Sequence, residues 1–152
     1  MTKRQIESIL SQLDSSPTPR HLVDYLASKL LEAKFVDNSI KRQKNSQSGF
    51  ILKAGSLIAW RNGRQTDKSG FRIVGAHTDS PCLRIKPHPD DRRFGFNTLQ
   101  IEIYGSPLLN SWLDRDLGVA GHVVLRSGKT KLFRSDGPVA RISQLAIHLD
   151  RE

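Results

Sequence analysis

The sequence predicts an α/β fold, on three observations. Two segments near the start carry apolar residues at helical spacing: Ile6, Ile9, Leu10 and Leu13 in the first, and Leu22, Tyr25, Leu26, Leu30 and Ala33 in the second. Short β-rich runs punctuated by turn residues follow. One of them, Phe71-Arg72-Ile73-Val74, passes through the small residues Gly75-Ala76 into His77-Thr78-Asp79-Ser80-Pro81, as a buried strand ending in a polar turn would.

The second helix has a clear start. Thr18 can cap it with its hydroxyl, and Pro19 suits the first helical position because the N–H it lacks would be unpaired there. Residues 41–49 are polar and read as an exposed connection. Phe50-Ile51-Leu52-Lys53 and Ser56-Leu57-Ile58-Ala59-Trp60 form two strands hinged at Ala54-Gly55, and Asn62-Gly63 signals another turn before the Phe71 strand. These three strands are expected as neighbours in one sheet. Residues 86–93 have the Pro and charge content of a surface loop, with His88 set between two prolines. Leu99-Gln100-Ile101-Glu102-Ile103-Tyr104 alternates as a half-buried strand does. His122-Val123-Val124-Leu125 and Lys131-Leu132-Phe133-Arg134 read as a hairpin around Ser127-Gly128-Lys129.

Composition narrows the class of function. The chain has 152 residues, of which 37% are hydrophobic and 26% charged, as in a folded globular protein rather than a disordered one. No apolar stretch approaches the ~18 residues of a membrane span, and no signal-peptide core follows Met1, so a cytoplasmic protein without a membrane partner is expected. The lone Cys82 fits a reducing compartment, and burial as a small apolar residue suits it better than a nucleophilic role. A net charge of +9 favours acidic partners. The basic residues are nevertheless scattered and are not interleaved with aromatic side chains, so no nucleic-acid partner is expected. The alternative of a basic, non-catalytic module that binds nucleic acid or another polyanion rests on that charge alone.

The chemistry-bearing residues cluster at two places. In extended backbone, residues two apart point to the same side, so the His77 imidazole and the Asp79 carboxylate can face one space. A carboxylate there can accept a hydrogen bond from one ring nitrogen while the other coordinates a metal. A structural His, with Asp79 capping the turn before Pro81, accounts for the same residues. Asp114 and Asp116 flank Arg115; they could serve a metal, but Arg115 also offers them a charge-assisted partner without one.

With these residues in view, the chain resembles the aspartyl aminopeptidase family of zinc metallopeptidases. The likeness is carried by residues 16–19, residues 74–81, residues 104–121 including Trp112-Leu113-Asp114-Arg115-Asp116-Leu117, and Ala146-Ile147-His148-Leu149-Asp150-Arg151, in the family's order. The resemblance implies a central mixed β-sheet flanked by helices, two zinc ions, and an inserted domain through which dimers form and build a larger homo-oligomer. Residues 1–136 would then be the N-terminal part of the catalytic domain, and residues 137–152 the incomplete start of the dimerisation domain. The implied reaction releases an N-terminal residue, preferentially Asp or Glu, from a peptide by metal-activated water. By resemblance, His77 is a zinc ligand, Asp79 orients it, and His148 binds substrate in the partner subunit's active site. Asp114 and Asp116 receive a sequence fingerprint from the family and no catalytic role. The family's remaining ligands and its general base belong to later parts of its chain. An N-terminal fragment that is inactive alone is therefore expected.

Overall fold

A computed structural model of the protein describes residues 1–40, 46–63, 70–93, 95–146 and 148, and divides the chain into two compact units. The first comprises residues 1–79 and 120–134, the second residues 80–119 and 135–152. Of the expected exposed connection at 41–49, residues 41–45 lie outside the described residues, as do residues 64–69 beyond the Asn62-Gly63 turn signal.

In the first unit, α1 (Lys3–Ser15) opens with a capping box: the Thr2 hydroxyl accepts the Gln5 N–H while the Gln5 side chain accepts the Thr2 N–H. Its stripe of Ile6, Ile9, Leu10 and Leu13 forms as its spacing predicts, yet all four stay exposed. In α2 (Pro19–Glu32), Thr18 is the N-cap and Pro19 stands at the start, as expected. The face it buries differs from the expected one. Val23 and Ala27, one helical turn apart, point inward, while Leu22, Tyr25, Leu26 and Leu30 are half-buried flanks and Ala33 is exposed. A small residue at position 27 suits the side that lies closest to a neighbouring element.

That neighbour is a mixed three-stranded sheet. β1 (Val36–Asp37) runs parallel to β2 (Ser48–Lys53), which pairs antiparallel with β3 (Ser56–Arg61) through the Ala54-Gly55 turn. Phe50 of β2 is fully buried and, with Val23 and Ala27, makes the apolar core among the described residues. Gly49 is required beside it: a Cβ there would lie 2.6 Å from the Trp60 ring and 2.7 Å from Asn38 Nδ2. Buried Asn38 ties the sheet together, its N–H donating to Phe50 O and its Nδ2 to Val36 O.

The expected strand at 71–74 does not form. These residues are extended but join no ladder, and Phe71 and Val74 are each 97% exposed. Their composition suits a strand, but no described segment offers the backbone partner that would make one. The unit is completed by the expected hairpin, β7 (Ala120–Val124) with β8 (Thr130–Arg134), and Gly128 takes the positive φ of its turn.

In the second unit, β4 (Cys82–Arg93) and β5 (Phe96–Tyr104) form a long antiparallel pair. The expected loop at 86–93 therefore lies within a strand, and residues 86–89, with Pro87-His88-Pro89 among them, leave the ladder where the register shifts between Ile85 and Asp90. Proline has no N–H to donate, so the two prolines interrupt the pairing without ending it. His88 is exposed there with φ +55°. Leu83, Ile85, Ile101 and Ile103 share one face by register, and on the other the Arg84 guanidinium stacks 3.5 Å from the Tyr104 ring centroid. Beyond a 3₁₀ turn at Leu109–Trp112, β6 (Asp116–Leu117) pairs antiparallel with β9 (Ala140–Arg141). The class is α/β with mixed strand directions, distributed over four small sheets among the described residues.

Candidate metal-ligand pair and its surroundings

The segment from Phe71 reaches its polar end at Thr78, whose hydroxyl donates to Gly55 O at 2.8 Å and thereby pins the chain to the β2–β3 turn. His77 and Asp79 flank that anchor. His77 Nδ1 lies 2.7 Å from the Asp79 carbonyl oxygen and 3.4 Å from its Oδ1, so the two residues meet as their spacing predicts. The closer partner is the backbone carbonyl rather than the carboxylate. With Nδ1 held as the donor, the proton sits on that nitrogen and Nε2 is left as the basic one. The His77 side chain is 82% exposed and that of Asp79 41%, so the ring faces open space.

This pair has the chemistry of one metal ligand and its brace. A catalytic zinc takes three protein ligands. Among the described residues, no three His, Cys, Asp or Glu side chains gather so as to hold an ion. The described residues therefore do not make a zinc site by themselves.

Asp114 and Asp116 lie in the second unit and are engaged otherwise than expected. Arg141 donates to Asp116 Oδ1 from Nη2 at 2.6 Å and from Nε at 3.1 Å, an ion pair that raises the Arg141 pKa. Asp114 Oδ1 accepts the Gln144 N–H at 3.1 Å. Arg115, the expected partner of both, instead donates to Ser111 O. The fingerprint is built into the backbone of its own unit. Nothing in the spacing of residues 114–116 pointed to an arginine 25 positions later.

His148 also belongs to the second unit, and it is exposed. His77 and Asp79 thus come together within one unit, and His148 stands in the other. Cys82 is half-buried at the start of β4, in keeping with a packing role. In the first turn of α2, His21 Nδ1 lies 2.7 Å from the Thr18 hydroxyl, and burial lowers its pKa.

Among the described residues, the α/β chain presents an outward-facing imidazole braced at Nδ1 and no complete cluster of metal ligands. Comparison with known proteins gives the class a family. Residues 12–152 match the family described as aminopeptidase I zinc metalloproteases (M18), and the chain belongs to it. A probable M18 family aminopeptidase 2 of Streptomyces avermitilis is 49% identical over 148 residues, covering 95% of this chain and 34% of the relative. Among solved structures, the S. cerevisiae mApe1 dodecamer is 26% identical, with a TM-score of 0.77 over 93% of this chain and 36% of that one. An M18 aminopeptidase of Thermotoga maritima, 24% identical, shares the fold with a TM-score of 0.80 over 99% of this chain and 36% of that one. The chain spans about a third of the length of the relatives it matches.

Proposed function

We propose that the chain forms part of a zinc aminopeptidase that releases N-terminal residues, preferentially Asp or Glu, from peptides, and that it is inactive alone. His77 serves as one zinc ligand through Nε2, and Asp79 holds the ring from the Nδ1 side. His148 acts on substrate in a neighbouring subunit of a homo-oligomer, in keeping with the dodecamer of the S. cerevisiae relative. Two zinc ions, a cytoplasmic setting, and a dimerisation segment beginning at residue 137 belong to the same proposal.

The observation that carries it is the His77–Asp79 pair, exposed on one side and held on the other, in a chain of the M18 family. The lack of a complete donor set among the described residues and the threefold greater length of the relatives support inactivity of the isolated chain. Incubated with zinc and peptides bearing N-terminal Asp or Glu, the 152-residue chain is expected to give no turnover. Chelator-sensitive turnover that disappears in His77→Ala would overturn that expectation. Calorimetric titration tests the ligand itself: weak zinc uptake should be lost in His77→Ala, and uptake unchanged by the substitution removes His77 from the ligand set.

A further inference from the structure

The two carboxylates of the 114–117 segment hold a single stretch of chain. Asp114 donates its backbone N–H to Ile142 O at 2.8 Å and accepts the Gln144 N–H on Oδ1. Asp116 faces Arg141 across the β6–β9 pair and binds its guanidinium through two donors. Val139 N–H closes the same pairing onto Leu117 O at 2.9 Å. Residues 139–144 are therefore fastened at four points to Asp114, Asp116 and Leu117. His148 follows four positions later, and four residues span at most about 14 Å even when fully extended.

We propose that Asp114 and Asp116 are positioning residues that confine His148 by anchoring the chain just ahead of it. Asp114 meets two demands at once. Its φ of +51° is a left-handed conformation that Asp and Asn tolerate better than most side chains, and its carboxylate supplies the acceptor for Gln144. Glycine meets only the first demand, asparagine meets both, and alanine neither. Asp116 adds the charge that keeps Arg141 beside β6 rather than in solvent. Both carboxylates are thus committed to N–H and guanidinium donors, which explains a Trp-Leu-Asp-Arg-Asp-Leu fingerprint without assigning it any chemistry.

The functional weight of the anchor rests on the proposed role of His148, so its test uses neither substrate nor metal. Amide hydrogen exchange on the intact chain is compared for wild type, Asp114→Gly and Asp114→Asn, and a nitroxide on His148→Cys in a Cys82→Ala background reports mobility at that position. Asp114→Gly should speed exchange at Gln144 by about tenfold, the loss of one charge-assisted hydrogen bond. It should also sharpen the nitroxide spectrum, while β4–β5 keeps its protection. Asp114→Asn should stay within about twofold of wild type in exchange, because its side-chain oxygen still accepts. Asp116→Asn should shift both readouts in the same direction by less. Unchanged exchange and mobility in Asp114→Gly overturn the proposal, and so does uniform loss of protection across β4–β5 that Asp114→Asn fails to restore. The role of His148 fails separately, when His148→Gln leaves peptide turnover of the assembled enzyme unaltered and the exchange result stands.

Discussion

Gly49 and Phe50 show how little room the first unit has. Phe50 is fully buried in a core of three apolar side chains among the described residues, so Phe50→Ala should cost about 3–5 kcal/mol of unfolding free energy in a denaturant titration. Gly49→Ala acts in the opposite sense, forcing a methyl group into the Trp60 ring, and should cost about 1–3 kcal/mol. His21 adds a pH dependence. Burial favours its neutral ring in the fold, so the unfolded chain binds the extra proton more readily. Its stabilisation is complete above the ordinary value of 6.5 and is lost as pH falls through 6.5 toward the lowered folded value. The melting temperature should therefore fall below pH 6.5, and less so in His21→Gln. At this scale the sequence was legible where partners are close in it. His77 and Asp79 meet because they are two residues apart, whereas the partners of Asp114 and Asp116 lie 30 and 25 residues away with no pattern to announce them.

Elements whose signals are local were legible as well. The caps of both helices, the Ala54-Gly55 turn and the Gly128 hairpin are each specified by one or two residues. Thr18→Ala should lower stability by about 1 kcal/mol, read from thermal melts. Legibility failed where an element depends on what lies beside it. The inward face of α2 falls on Val23 and Ala27, on the side that packs against the sheet, and its apolar spacing alone did not mark that side. The β4 strand runs through a Pro-rich, charged stretch because eight residues of β5 pair with it on either side of the interruption. Conversely, residues 71–74 have strand composition and no described partner.

For the whole molecule, the chain belongs to the M18 family and spans about a third of the length of its relatives, and no three His, Cys, Asp or Glu side chains gather to hold an ion among the described residues. A helix long and apolar enough to cross a membrane is absent among the described residues. The stretch at 71–74 has a further effect that concerns the chain's behaviour at high concentration. Phe71, Ile73 and Val74 stand almost wholly in water on an extended backbone that joins no ladder among the described residues, the form in which separate chains stick to one another. Arg72 in its midst is a gatekeeper, repelling the same arginine of an incoming copy. Added salt screens that repulsion and leaves the apolar attraction intact, so turbidity of a concentrated solution should rise with ionic strength. Ile73→Lys should keep the solution clear.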